Sequence, residues 1–167
     1  NVKVGAYTHI KQSTILDDTT IKPYSHIDTS EVGQKNNIGP YARLRPGAKT
    51  KNNVNIGNFV EIKNSEIGSG TKINHLSYVG DSEVGENVNI GAGCITCNYD
   101  GLNKHKTIIE DDVFIGSNSQ LVAPLTIGAG STIGAGSTIT KDTPANQLTL
   151  SRPKQTNIPN WERPKKK

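Results

Sequence analysis

Residues 127–138 read Ile-Gly-Ala-Gly-Ser-Thr-Ile-Gly-Ala-Gly-Ser-Thr, a six-residue unit written twice. An aliphatic residue recurs at steps of six, occasionally five, through most of the 167-residue chain. Its positions are Val4, Ile10, Ile15, Ile21, Ile27, Val32, Ile38, Leu44, Ile56, Ile62, Ile67, Ile73, Val79, Val84, Ile90, Ile109, Ile115, Leu121, Ile127, Ile133 and Ile139. Thr50 and Thr96 occupy two further positions of the series. Self-similarity at a short fixed period is the signature of a repeat architecture.

The six-residue period predicts an all-β coil. Each aliphatic side chain would point inward, and Gly or Asn would supply the positive φ of a sharp corner. Three such strands per turn give a parallel β-helix of triangular cross-section. The 3.6-residue period of an amphipathic helix is absent from this region of the sequence. The spacing leaves the hand of the coil open.

Two segments leave the repeat. Residues 97–108 form a polar insertion with a turn signal at Asp100-Gly101, and we expect them to loop off the coil. The coil is expected to occupy residues 1–141, and residues 142–167 are expected to form an irregular tail. That tail contains Pro144, Pro153, Pro159 and Pro164.

Composition excludes several classes of protein. With 32% hydrophobic residues, 5% aromatic residues and no Met, the sequence favours a narrow core of Ile and Val. Residues 163–167 account for the whole net charge of +4, so a nucleic-acid surface is not expected. No stretch approaches the length of a membrane span, and an apolar leader is missing. These features predict a cytoplasmic protein without a membrane or nucleic-acid partner.

Several runs outside the simple repeat carry more specific information. They are Gly-Pro-Tyr-Ala-Arg-Leu-Arg-Pro-Gly at 39–47, Gly-Asn-Phe-Val-Glu-Ile-Lys at 57–63, Asn-His-Leu-Ser-Tyr at 74–78, Asn-Val-Asn-Ile-Gly-Ala-Gly at 87–93, Thr-Cys-Asn-Tyr-Asp-Gly at 96–101, Gln-Leu-Val-Ala-Pro at 120–124 and Ser-Arg at 151–152. Together they closely resemble the C-terminal acetyltransferase domain of the bifunctional UDP-N-acetylglucosamine pyrophosphorylase/glucosamine-1-phosphate N-acetyltransferases. These are hexapeptide-repeat transferases, and the resemblance covers essentially the whole chain.

The resemblance implies a left-handed coil and a reaction. The family transfers the acetyl group of acetyl-CoA to the amine of glucosamine 1-phosphate, on the route to UDP-N-acetylglucosamine for cell-wall precursors. It forms homotrimers whose active sites are shared between chains. The N-terminal uridyltransferase domain of the family, with its Mg²⁺ chemistry, has no counterpart in this sequence, so no metal is expected.

The resemblance also assigns site residues, position by position. His75 is the expected catalytic base, and an imidazole is suited to take up a proton near neutral pH. The expected sugar-phosphate ligands are Arg45, Lys63, Tyr78, Asn89, Lys104 and Glu61. The expected acetyl-CoA contacts are Ala92, Asn98, Tyr99, Ser117, Ala135 and Arg152. Arg and Lys suit phosphate oxygens, and small side chains leave room for an extended pantetheine arm.

The sequence leaves rival interpretations open. Cys94 and Cys97 have CxxC spacing, but a second pair is missing and four scattered histidines lack ligand spacing. A zinc-dependent carbonic anhydrase is therefore disfavoured. Two rivals remain: a hexapeptide acetyltransferase with a different amine or hydroxyl acceptor, and a noncatalytic β-helix scaffold. Turnover of acetyl-CoA separates the enzymes from the scaffold.

Overall fold

The computed structural model describes residues 1–166, which fold as a stack of short strands. Lys167, the last residue of the basic tail, lies outside the described residues. The strands are β1 (Lys3–Val4), β2 (His9–Lys11), β3 (Thr14–Ile15), β4 (Thr20–Ile21), β5 (His26–Asp28), β6 (Glu31–Val32), β7 (Asn37–Ile38), β8 (Arg43–Leu44), β9 (Lys49–Thr50), β10 (Asn55–Asn58), β11 (Glu61–Lys63), β12 (Glu66–Ile67), β13 (Lys72–His75), β14 (Tyr78–Gly80), β15 (Ser82–Val84), β16 (Asn89–Ile90), β17 (Ile95–Cys97), β18 (Thr107–Ile109), β19 (Phe114–Ile115), β20 (Gln120–Val122), β21 (Leu125–Ile127), β22 (Thr132–Ile133), β23 (Thr138–Ile139) and β24 (Leu148–Thr149).

The strands form three parallel sheets, one on each side of a triangular prism. The first sheet begins β1-β4-β7, the second β2-β5-β8, and the third contains β3, β6 and β9. Pairing repeats after one coil: Ile21 pairs with Ile38, and Ile56 pairs with Ile73, each 17 residues further on. Each position therefore lies beside its counterpart in the next coil. The predicted parallel β-helix is confirmed.

Inward-pointing aliphatic side chains fill the prism. Ile27, Ile62 and Ile127 are completely buried, as are most other members of the six-residue series. Both threonines of the series also point inward, and their hydroxyls are hydrogen-bonded: Asn36 donates to Thr50 at 2.7 Å, and the Gly80 N–H donates to Thr96 at 2.8 Å. A buried hydroxyl with a partner avoids the cost of an unsatisfied polar group.

The first coil departs from this pattern. Val4 is 55% exposed and Ile10 is 37% exposed, although both belong to the aliphatic series. Each has a coil on one side only in the described chain, where Val4 pairs with Ile21 and Ile10 with Ile27. At this end of the column, an inward direction in the sequence pattern is therefore not enough for burial.

The corners use positive φ, as expected, but with more residue types than Gly and Asn. Tyr7, Tyr24, Tyr41 and Phe59 hold the same corner between the first and second sheets with φ between 55° and 61°. Their rings stack with centroids 4.9 to 5.4 Å apart. Aromatic stacking of this kind offsets part of the cost of the left-handed conformation. This ladder was not foreseen from the sequence.

The two irregular segments differ in their bounds from the expectation. Cys97 ends β17 and Thr107 begins β18, so the insertion between strands spans residues 98–106 rather than 97–108. It lengthens one coil, because Asn89 pairs with Phe114, 25 residues further on. The predicted tail from 142 starts with part of a further coil: Thr143 bridges Ile127, and β24 pairs with β22.

Both cysteines are free thiols, Cys94 buried and Cys97 partly buried. Burial raises the pKa of both thiols, which disfavours the thiolate. Within residues 1–166 no three His, Cys, Asp or Glu side chains are grouped to hold a metal ion. The same residues include no helix with the length and apolar character needed to cross a membrane.

We predict that the stacked column, rather than aliphatic character alone, determines stability. Ile62→Ala should lower the free energy of unfolding by about 2–5 kcal/mol, because it leaves a cavity between two coils. Ile10→Ala, in the same column but at its open end, should cost clearly less. Urea unfolding of the two variants compares the losses. Equal losses would contradict the description of the core.

Candidate functional site

The Tyr78 ring lies over Gly80 on the outer face of the second sheet. Tyr78 and Gly80 both belong to β14, and a Cβ on Gly80 would collide with the Tyr78 ring and hydroxyl. The absence of a side chain at position 80 therefore lets the ring lie along the strand. Its hydroxyl then reaches the corner between the second and third sheets, 3.5 Å from the amide nitrogen of Asn98.

Charged side chains lie on the strands next to Tyr78. Arg45 and Lys63 follow inward residues that pair across neighbouring coils, Leu44 with Ile62, so they lie side by side at this edge of the second sheet. The Arg45 guanidinium donates to Glu61 at 2.9 Å, and Arg43 reaches the same carboxylate at 3.4 Å. Glu61 pairs with Tyr78 in the adjacent strand.

A second ion pair lies at the corner. The Lys63 ammonium contacts both carboxylate oxygens of Asp81, at 3.2 and 3.0 Å. Asn64 donates to Asp81 at 2.6 Å, and Asn98 donates to its other oxygen. Burial opposes ionisation of Asp81, but hydrogen bonds from Asn64, Lys63 and Asn98 outweigh it, so its pKa lies below the usual range. Burial likewise opposes the charge on Lys63, but Asp81 raises its pKa overall.

The insertion brings a further cation to the same place. Tyr99 and Lys104 form an antiparallel bridge, and the loop between them is closed by Asp100, whose carboxylate accepts from two backbone N–H groups and contacts His105 at 2.7 Å. Lys104 lies next to Lys63, which lowers the pKa of Lys104 through their close contact and through charge repulsion. A groove beneath the loop is lined by residues that include Asn64, Asp81 and Lys104.

The expected base lies at the other corner that bounds the second sheet, where it ends a strand of the first sheet. His75 ends β13, is exposed, and precedes the corner between the first and second sheets. Its Nδ1 lies 3.0 Å from the side-chain oxygen of Asn58, the residue that pairs with it in the adjacent coil. An amide oxygen only accepts, so Nδ1 donates in this contact, and in the neutral ring Nε2 is left with a free lone pair.

Four of the expected coenzyme residues continue the row of His75. Because Ile73, Ile90, Ile115 and Ile133 pair in successive coils, the residues two positions later also align. Those residues are His75, Ala92, Ser117 and Ala135. Arg152 extends the row, since its guanidinium donates to the Ala135 carbonyl at 2.7 Å. Adjacent strands are about 4.8 Å apart, so the row from His75 to Ala135 runs roughly 14 Å.

Two expected ligands lie apart from both groups. Asn89 points outward from the first sheet, where it pairs with Lys72 and Phe114. Tyr99 is exposed in the insertion, and its hydroxyl donates to the Gly101 carbonyl at 2.6 Å. The structure therefore brings together Arg45, Glu61, Lys63, Tyr78, Asn98 and Lys104 at one edge of the second sheet. It aligns His75, Ala92, Ser117, Ala135 and Arg152 at the corner between the first and second sheets.

Three residues of these groups were not foreseen from the sequence. They are Asn58 beside the imidazole, Gly80 beneath the phenol, and Asp81 between Lys63 and Asn98. Asn58 and Asp81 contact partners 17 or 18 residues away, and Gly80 makes room for a ring two residues away in its own strand. None of the three is conspicuous by its residue type. The 17-residue coil step was the available signal, because it places Asn58 beside His75.

The coil and its site define a hexapeptide-repeat protein. Residues 106–141 match the family model for the bacterial transferase hexapeptide (six repeats). Among solved structures, LpxA from Acinetobacter baumannii superposes with a TM-score of 0.65 at 21% identity, over 92% of this chain and 66% of that one. A perosamine N-acetyltransferase from Caulobacter crescentus gives 0.56 at 24% identity, over 69% and 52%. These likenesses concern the fold, a left-handed β-helix.

Within that class, sequence comparison shows that the chain is similar to the C-terminal part of bifunctional GlmU proteins. It is 60% identical over 166 residues to the bifunctional protein GlmU of Nitrosospira multiformis, covering 99% of this chain and 36% of that protein. It is 63% identical over 157 residues to the GlmU protein of Nitrosomonas eutropha, covering 94% and 34%. The chain thus spans about a third of the length of these relatives, and it matches their C-terminal part.

We predict that Asn58 fixes the tautomer of His75. Asn58→Leu removes the acceptor for Nδ1–H, so a mixture of tautomers should replace the single Nδ1-protonated form. Nitrogen-15 NMR of the imidazole rings distinguishes the two forms. Asn37→Leu, on the outer face of the same sheet, is the matched control and should leave the spectrum of His75 unchanged. An unchanged His75 spectrum in Asn58→Leu would contradict the assignment.

Proposed function

We propose that the chain transfers the acetyl group of acetyl-CoA to the amine of glucosamine 1-phosphate, giving N-acetylglucosamine 1-phosphate. The product is a precursor of UDP-N-acetylglucosamine, from which cell-wall polymers are made. Identity of about 60% with GlmU proteins supports an acyltransferase of this kind.

One observation carries the proposal beyond that similarity. Residues expected to bind two different substrates are dispersed between positions 45 and 152 in the sequence, yet most of them fall into two groups at the two corners that bound the second sheet. Asn98 departs from the expectation, because it was expected to contact acetyl-CoA and lies in the cationic group. One group is cationic and hydrogen-bonding, as a sugar phosphate requires. The other is a row of small residues running from an imidazole to an arginine, as an acyl-CoA requires.

The cationic group is suited to bind the phosphate of the sugar. Arg45 offers a planar fork to phosphate oxygens, and the Lys63 and Lys104 ammonium groups add point charges. Glu61 and Asp81 partly compensate these charges before the substrate binds. The Tyr78 hydroxyl adds a directional hydrogen bond. An acceptor without a phosphate would forgo most of these contacts.

His75 is placed to act as the base. With Nδ1–H held by Asn58, Nε2 accepts a proton from the ammonium group of the sugar. The resulting neutral amine attacks the carbonyl carbon of the thioester, so that a C–N bond forms and the C–S bond breaks. The attacking nitrogen gives up its second proton, the departing thiolate of CoA takes up one proton to become the thiol, and His75 returns the first proton to solvent.

The row beyond His75 is suited to the pantetheine arm. Ala92 and Ala135 present little more than backbone, and Ser117 adds one hydroxyl. An extended chain lying along this row would place its thioester at the imidazole. Its nucleotide end would reach Arg152, which is exposed and able to contact a phosphate.

The two groups do not meet within one chain, which supports a site shared between chains. The second sheet separates them: Ser77 at one corner and Gly80 at the other are three positions apart, a distance of about 10 Å. A trimer of parallel prisms, as the family forms, would bring one chain's imidazole row against the cationic edge of its neighbour. We therefore propose a homotrimer.

We predict that His75→Ala lowers turnover of acetyl-CoA with glucosamine 1-phosphate about 10²- to 10⁴-fold. Release of free CoA is measured with glucosamine 1-phosphate, glucosamine 6-phosphate or glucosamine as acceptor. His26→Ala, an exposed histidine on the second sheet, is the matched control and should retain full activity.

The acceptor panel separates the possible functions. Turnover restricted to the 1-phosphate supports the proposed substrate, whereas faster turnover with another acceptor would indicate a different acetyltransferase. A folded trimer without turnover on any acceptor would indicate a scaffold. Full activity in His75→Ala would retain the enzyme and reject its base.

We further predict that Arg152→Ala raises KM for acetyl-CoA roughly tenfold to a hundredfold, the loss expected for one hydrogen bond to a charged group. KM for the sugar phosphate should not change, because Arg152 lies in the other row. Lys154→Ala, two residues further on and also exposed, is the control. An unchanged KM for acetyl-CoA would remove Arg152 from the site.

A further inference from the structure

Asp81 lies at a corner that does not need an acid. The corresponding corner of the preceding coils, between the second and third sheets, is formed by Gln12, Thr29, Gly47 and Asn64, all with positive φ. An amide, a hydroxyl and a bare backbone therefore all support this corner. The carboxylate of Asp81 must be explained by what it contacts rather than by folding of the turn.

Two of the three side chains that contact its carboxylate, Lys63 and Asn98, belong to the proposed site. Three side chains donate to it: Lys63 to both oxygens, Asn64 to one and Asn98 to the other. The ion pair is shielded, with Lys63 17% exposed and Asp81 12% exposed. A hydrogen-bonded ion pair with so little solvent holds its members in one geometry more firmly than a surface pair does.

The Asp81 carboxylate also offsets repulsion between neighbouring cations. Lys63 and Lys104 lie close enough to repel each other, and Arg45 adds further positive charge. Asp81 is attractive to both lysines. Without a counter-ion, two ammonium groups would not stay together before an anionic substrate arrives.

Asp81 also determines how Asn98 is presented. One side-chain N–H of Asn98 donates to Asp81, and the same nitrogen lies 3.5 Å from the Tyr78 hydroxyl. The donor end of the amide is therefore turned toward these two groups. Asn98 is also the first residue of the insertion, so this hydrogen bond anchors the loop that carries Lys104.

We infer that Asp81 is a positioning residue for the sugar-phosphate site. It holds the Lys63 and Lys104 ammonium groups close together, and it anchors Asn98, the first residue of the insertion. The phosphate therefore binds to donors that are already in place. The inference rests on the proposed function for its catalytic consequence, and on geometry alone for its effect on the loop.

The test is Asp81→Asn, with Asp112→Asn as the matched control. Asparagine occupies the same corner one coil earlier, at Asn64, so the variant is expected to fold. Asp112 is likewise an acid at a corner with positive φ, but it is exposed and lies between other sheets. We expect Asp81→Asn to raise KM for glucosamine 1-phosphate about 10- to 100-fold, the size of effect that misplaced binding groups produce.

Two readouts do not need turnover. Calorimetry should show the same weakening of glucosamine 1-phosphate binding. Amide hydrogen exchange in residues 98–106 should be faster in Asp81→Asn than in Asp112→Asn. The double variant Asp81→Asn/Lys63→Met should lose little beyond Lys63→Met alone, because Asp81 acts largely through that lysine.

The outcomes separate the inference from the proposed function. A native chain inactive on every acceptor would reject the function, while sugar-phosphate binding and loop exchange would still test Asp81. If the native chain is active but Asp81→Asn matches Asp112→Asn in KM, sugar-phosphate binding and loop exchange, the inference is overturned. A lowered melting temperature with unchanged KM, sugar-phosphate binding and loop exchange would also overturn it, because it would indicate a purely structural role.

Discussion

The structure depends on the in-register stacking of one inward aliphatic residue in every six. Each such residue lies on its counterpart in the next coil, as Ile21 does on Ile38 and Ile62 does on Val79. Full burial of an aliphatic side chain contributes about 1.5–3 kcal/mol, and a shift of one residue would turn the whole set outward. The column therefore fixes the register of the coil as well as its stability.

Fixed register has a consequence on the outside of the prism. Residues 17 or 18 positions apart become neighbours, so a function can be assembled from one residue per coil along an edge. Asn58, His75 and Ala92 illustrate this at the corner between the first and second sheets, and Arg45 and Lys63 at the corner between the second and third. Rigid strands hold most of these groups. The insertion supplies Lys104.

The sequence predicted the fold well because its main determinant is local. A six-residue period is readable without knowing which coil touches which. The base and most proposed ligands came from motif resemblance, which carries residue types but not contacts. Asp81 and Gly80 were missed for that reason: a corner acid and a strand glycine become informative only when Lys63 or Tyr78 is seen to lie on them. The exposed end of the column at Val4 likewise depends on what covers it.

The central claim is that the two corners that bound the second sheet bind two different substrates, and that one corner of a chain meets the other corner of a neighbouring chain. Mixing subunits tests it most directly. Chains with His75→Ala and chains with Lys63→Ala are unfolded together, refolded into mixed oligomers, and assayed for acetylation of glucosamine 1-phosphate. We predict that each variant alone is nearly inactive and that the mixture regains activity, because some interfaces combine an intact imidazole row with an intact cationic edge. Mixed oligomers that remain as inactive as their parents would contradict the claim.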